Sequence, residues 1–117
     1  MKIRIKGNSL RYRLTQSEVA KLFERGSLEE RTEFANNTLV YTIESINDNK
    51  LSSDFMNSKI TLFIPKVMID ELYNTNKVGF EDKSGTVSLL VEKDFACIDH
   101  TEEDQSDNYP NPNISCQ

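Results

Sequence analysis

The chain has 117 residues and a formal net charge of -5, and 37% of its residues are hydrophobic. That length fits one domain. With four glycines and three prolines, the chain is not expected to be disordered. No apolar run approaches the ~18 residues of a membrane-spanning helix, and we expect no secretory leader before the first strand. Two cysteines in such a chain indicate a reducing compartment. The composition therefore predicts a cytoplasmic α+β domain.

The charge is distributed unevenly along the chain. All 14 Lys and Arg, and 14 of the 19 Asp and Glu, lie in residues 1–98, so this part is neutral. The first 17 residues contain five of the cations and no acid, whereas residues 99–117 contain five acids and no cation. The sequence thus predicts a dipolar molecule with a basic start and an acidic tail.

The first half of the chain is predicted to form two strands, a helix and two more strands. Apolar and charged residues alternate near 3–5 and 10–14, and the turn Gly7-Asn8-Ser9 between them indicates a hairpin. Thr15 and Glu18 have the spacing of a helix capping box, and Gly26 suits a left-handed helix end. The predicted ranges after the hairpin are 16–25 for the helix and 28–34 and 39–46 for the strands.

The second half repeats this order. Phe55 precedes the turn Asn57-Ser58, and a strand, a helix and two more strands follow. Pro65 suits the first helical position, and Asn76 is a candidate left-handed helix end. The predicted ranges are 60–64, 65–73, 77–82 and 86–92. At an offset of 50, Leu14, Val19, Leu22 and Phe23 match Ile64, Ile69, Leu72 and Tyr73.

These repeats predict two ββαββ halves related by a pseudo-twofold axis, that is, an internal duplication. The alternative is that any two segments of strand, helix and strand can be aligned in this way. Eight short strands with two helices are expected to form a strongly curved antiparallel sheet or an open barrel, with the helices on one side. The expected domain is residues 1–98, and the acidic tail is residues 99–117.

Both ends of the chain resemble a family of short uncharacterised bacterial proteins. The resemblance rests on the opening MKIRIKGNSLRYRLTQSEV, the middle block ITLFIP and the ending LVEKDFACIDHTEEDQSDNYPNPN. The family is a domain of unknown function, so the resemblance implies a bacterial cytoplasmic protein and no particular chemistry.

The basic hairpin is the first candidate site. Strand alternation places its cations on one face, where they would be stabilised by a polyanion such as phosphate groups or nucleic acid. These cations are Lys2, Arg4, Lys6, Arg11 and Arg13. The alternative is a solvated face whose charges are paired with glutamates of other strands. The available glutamates are Glu29, Glu30, Glu33, Glu44 and Glu92. A pI near 4.9 and the lack of a nucleic-acid motif make nucleic acid an unlikely partner, so a protein or a phosphorylated small molecule is preferred.

The acidic tail is the second candidate site. It brings a thiol, an imidazole and carboxylates close together in sequence, so a divalent metal could bind although no cofactor is expected. The candidate ligands are Cys97, Asp99, His100, Glu103 and Asp107. The alternative is an acidic solvated segment. A Cys97–His100 nucleophile and base would make the protein an enzyme, but neighbouring residues of one strand end point apart.

Prolines make the end of the tail extended, and Tyr109 is an aromatic anchor within it. We expect the tail to fold back, with Tyr109 packing on the body and its carboxylates reaching the N-terminal cations. No catalytic sequence motif is present. The favoured function is a small non-enzymatic binding module, and the alternative is a metal-dependent or Cys-His enzyme.

Overall fold

The computed structural model describes residues 1–95 and 106–110. These residues form two helices and eight strands, in the order of two ββαββ units. The first unit contains β1 (Lys2–Lys6), β2 (Ser9–Leu14), α1 (Gln16–Arg25), β3 (Ser27–Glu33) and β4 (Thr38–Ile46). The second contains β5 (Ser52–Met56), β6 (Lys59–Pro65), α2 (Lys66–Asn74), β7 (Gly79–Ser84) and β8 (Val87–Lys93). The predicted α+β class with two helices is confirmed.

The strands form two four-stranded mixed sheets. Sheet A has the order β1-β2-β8-β7, and sheet B has the order β3-β4-β6-β5. The central pairs, β2 with β8 and β4 with β6, are parallel, and the outer pairs are antiparallel. The last strand of each unit therefore pairs with the second strand of the other unit.

The prediction of one strongly curved antiparallel sheet or an open barrel is wrong. β1, β7, β3 and β5 are edge strands, so the described strands do not close into a barrel. The prediction assumed mainly antiparallel neighbours, whereas each sheet takes two strands from each unit through a parallel central pair. A parallel pair requires a long connection between its strands. Residues 15–86, which include both helices, connect β2 to β8, whereas residues 47–58, which include β5 and no helix, connect β4 to β6.

The hairpin turns follow from the residues that occupy them. Gly7 has a φ of 55° in the two-residue turn between Lys6 and Ser9, as a turn with positive φ at its first position requires. In the corresponding turn of the second unit, Asn57 and Ser58 have φ values of 52° and 62°. The predicted hairpin of the first unit is therefore confirmed.

Helix α1 begins and ends as the sequence predicts. The Thr15 backbone N–H donates to Glu18 Oε1 at 2.9 Å, as in a capping box. Gly26 has a φ of 82° and its N–H donates to the Leu22 carbonyl, so a left-handed glycine ends the helix.

Helix α2 differs from its prediction at both ends. Pro65 is the last residue of β6 and precedes the helix instead of starting it. The helix is capped by Thr75 in an extended conformation, and Thr75 Oγ1 donates to the Glu71 carbonyl at 2.5 Å. Asn76 is not left-handed, because it lacks a positive φ. Neither helix of the described residues has the length and hydrophobicity needed to cross a membrane.

One hydrophobic core lies between the two sheets and the two helices. Both central strand pairs and one face of each helix contribute to it. The buried apolar residues are Leu10, Tyr12, Leu14, Val19, Leu22, Ile43, Leu51, Leu62, Ile64, Ile69, Leu72, Leu89 and Val91. Since these residues come from both units, we expect neither unit to have a core of its own.

Exchanging the two units maps sheet A onto sheet B, since β1, β2, β8 and β7 correspond to β5, β6, β4 and β3. Hydrogen bonds correspond as well: Ser88 N donates to Asn8 O at 2.8 Å, and Val40 N donates to Ser58 O at 3.0 Å. Phe23 and Tyr73, an aligned pair, stack with ring centroids 4.4 Å apart. The two units thus share one topology, whereas the internal duplication stays a prediction.

Substitution of Tyr12 tests the core. Tyr12 is fully buried, and its hydroxyl has no hydrogen-bond partner among the described residues. Burial raises the pKa of Tyr12, because the phenolate would be desolvated. An unsatisfied buried hydroxyl costs about 1–3 kcal/mol, so Tyr12→Phe is expected to raise the free energy of unfolding by about 1 kcal/mol in urea titrations.

The matched control is Tyr41→Phe. The Tyr41 hydroxyl has a partner, Glu30 Oε2 at 3.5 Å, so its removal is expected to give no gain in stability. A clear loss of stability in Tyr12→Phe would contradict the assignment of an unsatisfied hydroxyl.

Candidate anion-binding face

The five predicted cations lie on one face of sheet A. Leu10, Tyr12 and Leu14 of β2 are buried in the core, so strand alternation places the arginines of β2 on the opposite face. The register brings the side chains of β1 onto the same face. We call this set the basic face: Lys2, Arg4, Lys6, Arg11 and Arg13.

Like charges face each other across the hairpin. In the β1–β2 register, Arg4 is opposite Arg11 and Lys2 is opposite Arg13. Like charges directly opposite on one sheet face destabilise the pair. The arrangement is therefore unfavourable unless carboxylates, from the protein or from a ligand, lie beside it.

Glu92 supplies one such carboxylate. It is opposite Arg13 in the parallel β2–β8 register. Its Oε1 lies 2.9 Å from Arg13 Nε and 3.5 Å from Arg11 Nε. The alternative to a ligand site is that the cations pair with glutamates of other strands. The structure shows such pairing for two of the five cations through one shared glutamate.

The other four candidate glutamates lie in sheet B, on β3 and β4. Glu29 pairs with Arg31 of its own strand at 3.2 Å, and Glu30 accepts from the Tyr41 hydroxyl. Glu33 and Glu44 form no ion pair with a cation of the described residues. Of the five candidate glutamates, only Glu92 therefore lies in the same sheet as the basic face. The strand pattern of the sequence does not determine which sheet each strand joins.

The three cations of β1 differ in their surroundings. Lys2 Nζ lies 3.2 Å from Oδ2 of the buried Asp94, an ion pair without hydrogen-bond geometry. Arg4 and Lys6 are exposed, and within residues 1–95 and 106–110 neither has an acidic partner. These two side chains are the ones best placed to meet an external anion.

Gly79 is a structural requirement of this face that was absent from the predicted site residues. It is opposite Glu92 in the β7–β8 register. A Cβ at this position would lie 2.5 Å from the Val91 carbonyl oxygen and 2.9 Å from Glu92 Cα. A side chain here would therefore displace the backbone that positions Glu92. The signal in the sequence is an isolated glycine at the start of a strand.

No aromatic side chain occurs among the described strand residues of sheet A that share the basic face. Beyond the hairpin, its described neighbours on the same side of sheet A are Ser88, Leu90, Glu81 and Lys83. Proteins that bind single-stranded nucleic acid stack its bases on aromatic rings. This face is instead suited to phosphate or carboxylate groups.

Residues 106–110, which we call the strap, lie against the start of α1. Asp107 Oδ1 accepts from Ser17 N at 3.3 Å, and Oδ2 accepts from Ser17 Oγ at 2.5 Å. A carboxylate is favourable at a helix N-terminus, where backbone N–H groups lack helical partners. These hydrogen bonds, first of all that from the Ser17 hydroxyl, lower the pKa of Asp107.

Tyr109 anchors the other end of the strap. Its backbone N–H donates to the Asp94 carbonyl at 2.8 Å. Its ring packs edge-on against Phe95 at 5.8 Å between centroids, and Lys93 Nζ lies 4.8 Å from the ring centroid. Lys93 is buried and donates to the Thr75 carbonyl at 2.9 Å, and burial lowers its pKa. Lys93 and Asp94 were not among the predicted site residues.

Most of the predicted metal ligands lie outside the described residues, namely Cys97, Asp99, His100 and Glu103. Asp107 is described, and it bonds Ser17 rather than the basic face. No cluster of three or more His, Cys, Asp and Glu suited to a metal occurs within residues 1–95 and 106–110.

The described residues thus form a two-sheet α+β domain with a basic face on one sheet. The chain belongs to a family of unknown function, DUF7009, whose sequence profile matches residues 1–113. No curated protein and no solved structure matches the chain significantly. Membership of an uncharacterised family is therefore confirmed.

Substitution of Glu92 tests the charge balance of the basic face. Glu92→Gln is expected to lower the free energy of unfolding by about 1 kcal/mol at low ionic strength, because two partly buried arginines lose their shared carboxylate. Added salt should reduce this loss, since it screens the repulsion that remains. Urea titrations at low and high ionic strength measure both effects.

Glu81→Gln is the matched control, because Glu81 lies on the same face of sheet A but has no ion pair within the described residues. An equal loss of stability in the two variants would contradict the role assigned to Glu92.

The strap predicts a dependence of stability on pH. The pKa of Asp107 is lowered in the folded protein, so its contribution is present above the ordinary carboxyl pKa. That contribution is lost as the pH falls through the lower, folded-state pKa. Thermal melts at neutral and acid pH should therefore show a smaller acid-induced fall in Tm for Asp107→Asn than for the unmodified chain.

Asp54→Asn is the control for this comparison. Asp54 is exposed on β5 and has no hydrogen bond or ion pair from its side chain within the described residues. An acid-induced fall in Tm that is the same for Asp107→Asn and the unmodified chain would contradict the docking of the strap.

Proposed function

We propose that this protein is a small non-enzymatic binding module whose basic face binds an anionic ligand. Arg4 and Lys6 make the first contacts, and Lys2, Arg11 and Arg13 extend the positive surface. The observation that carries the proposal is the exposure of Arg4 and Lys6 without an acidic partner among the described residues.

A comparison between the two units supports a functional reason for these cations. The hairpin β5–β6 has the same register as β1–β2, with an offset of 50. The positions equivalent to the basic face are Ser52, Asp54, Met56, Thr61 and Phe63. The same hairpin thus forms in sheet B without any cation at these positions. Since the fold does not require the positive charges, a ligand is the simpler explanation for them.

The acidic tail is proposed to compete with the ligand. Residues 99–107 contain all five acids of the tail, and the chain carries its net charge of -5 there. A tethered acidic segment acts at a high effective concentration, so it could occupy the basic face when no ligand is present. Competition of this kind would raise the apparent Kd by a constant factor and would favour multivalent anions over monovalent ones.

We further infer that the two units arose by internal duplication and that the protein acts in a bacterial cytoplasm. The aligned turns and the stacked Phe23–Tyr73 pair support the duplication. The proposal requires no metal or cofactor. The enzyme alternative would centre on Cys97 and His100, and stoichiometric metal in the purified protein would favour that alternative.

Calorimetric titration with inorganic tripolyphosphate at low salt tests the proposed function. Arg4→Gln and Lys6→Gln are each expected to weaken binding by about threefold, since each removes one exposed charge pair. Glu92→Gln is expected to strengthen binding although it destabilises the fold, because Arg11 and Arg13 then lack their internal carboxylate. A Glu92→Gln protein that is less stable but binds tripolyphosphate more tightly would show that the affinity change does not come from a general loss of structure.

Lys83→Gln is the matched control, because Lys83 is exposed on the same face of sheet A but on the far edge strand. Equal losses in Lys83→Gln and Arg4→Gln would indicate non-specific attraction. No heat of binding for the unmodified protein would overturn the proposed function.

A further inference from the structure

The ligand class can be narrowed from the position of β1. β1 is an edge strand of sheet A and pairs only with β2 among the described strands. An edge strand presents a row of N–H and C=O groups that can pair with another extended chain. The exposed cations of the basic face are therefore carried by a strand that can also form backbone hydrogen bonds.

The hairpin register identifies the backbone groups that face outward. Residues flanking a two-residue turn form a hydrogen-bonded pair, and hydrogen-bonded and non-bonded pairs alternate along an antiparallel ladder. Lys6 and Ser9 flank the turn, so Arg4 and Lys2 also point their backbone groups toward β2. Ile3 and Ile5 then point theirs away from β2. An incoming chain would pair with these two residues.

The side chains of β1 define the sequence that such a chain should have. Arg4 and Lys6 project to the basic face at a spacing of about 6.8 Å, the repeat of two residues in a strand. Ile3 and Ile5 project to the other side, and Ile5 is 58% exposed. Acidic residues at alternate positions would meet the cations, and apolar residues between them would cover Ile5. Cations on an edge strand repel basic chains and favour acidic ones.

We infer that the partner is an extended acidic peptide segment that adds to β1 as a fifth strand of sheet A. This inference rests on the proposed function and specifies its ligand. A free phosphate would use the cations alone, whereas a peptide strand would use the cations, Ile5 and the outward backbone groups together. Single-stranded nucleic acid would gain from stacking its bases on aromatic rings, and the strand residues that flank the basic face include no ring.

The test uses a labelled peptide of alternating glutamate and valine, about seven residues long, which is a typical strand length. Two further peptides are N-methylated, one at its valines and the other at its glutamates. In an extended peptide, the valine N–H groups point to one edge and the glutamate N–H groups to the other, and only one edge faces β1. The peptide that is methylated on the edge away from β1 is therefore expected to bind like the parent. The other should bind at least about tenfold more weakly, since it loses its ladder hydrogen bonds. Fluorescence anisotropy measures all three affinities on the unmodified protein.

A protein variant provides an independent readout. Ile5→Pro removes an outward N–H without removing a bond to β2, and proline is tolerated on edge strands. This variant is expected to lose peptide binding and to keep tripolyphosphate binding. A circular dichroism spectrum like that of the unmodified protein checks that the variant folds.

Two sets of results would contradict the inference in different ways. Equal binding of both methylated peptides, or tighter binding of an oligonucleotide than of the peptide, would overturn strand addition and leave the anion-binding function in place. If the parent peptide does not bind while tripolyphosphate does, strand addition is overturned in the same way. If tripolyphosphate does not bind, the proposed function itself is overturned.

Discussion

The parallel pairing of β2 with β8 is the contact on which the rest of the structure depends. It joins residues 9–14 to residues 88–93, at opposite ends of the described domain. Its register sets Tyr12 beside Val91 in the core, and on the other face it sets Arg13 beside Glu92. The core and the basic face are therefore two sides of one pairing. A slip of one residue would exchange them.

The basic face illustrates how a local charge can oppose the charge of the whole chain. The protein is acidic overall, yet among the described residues Glu92 and Asp94 pair with only three of the five cations, namely Lys2, Arg11 and Arg13. The acidic strap contributes nothing to this balance through Asp107, which bonds the start of α1. The fold thus keeps a positive surface on one sheet, and the second unit shows that an equivalent hairpin forms without it.

The local sequence pattern predicts the helices, strands and turns, but it does not determine which strands pair with each other. The alternation of apolar and charged residues, the turn at Gly7 and the helix end at Gly26 depend on neighbouring residues, and the structure agrees with each. The barrel was wrong because the period of a strand does not specify its partner. For the same reason the sequence offered five glutamates, and only the β2–β8 register identifies Glu92. The packing role of Gly79 likewise depends on the β7–β8 register.

The central claim is that the β2–β8 pairing places Glu92 between Arg11 and Arg13, where it offsets part of their charge, and leaves Arg4 for a ligand. It is tested most directly by following the arginine Nε–H signals in an NMR titration with tripolyphosphate at low salt. The Arg4 signal should shift first and most, while those of Arg11 and Arg13 should move less because Glu92 already occupies them. Equal shifts for all three arginines, or no shift of Arg4 at saturating ligand, would contradict this explanation.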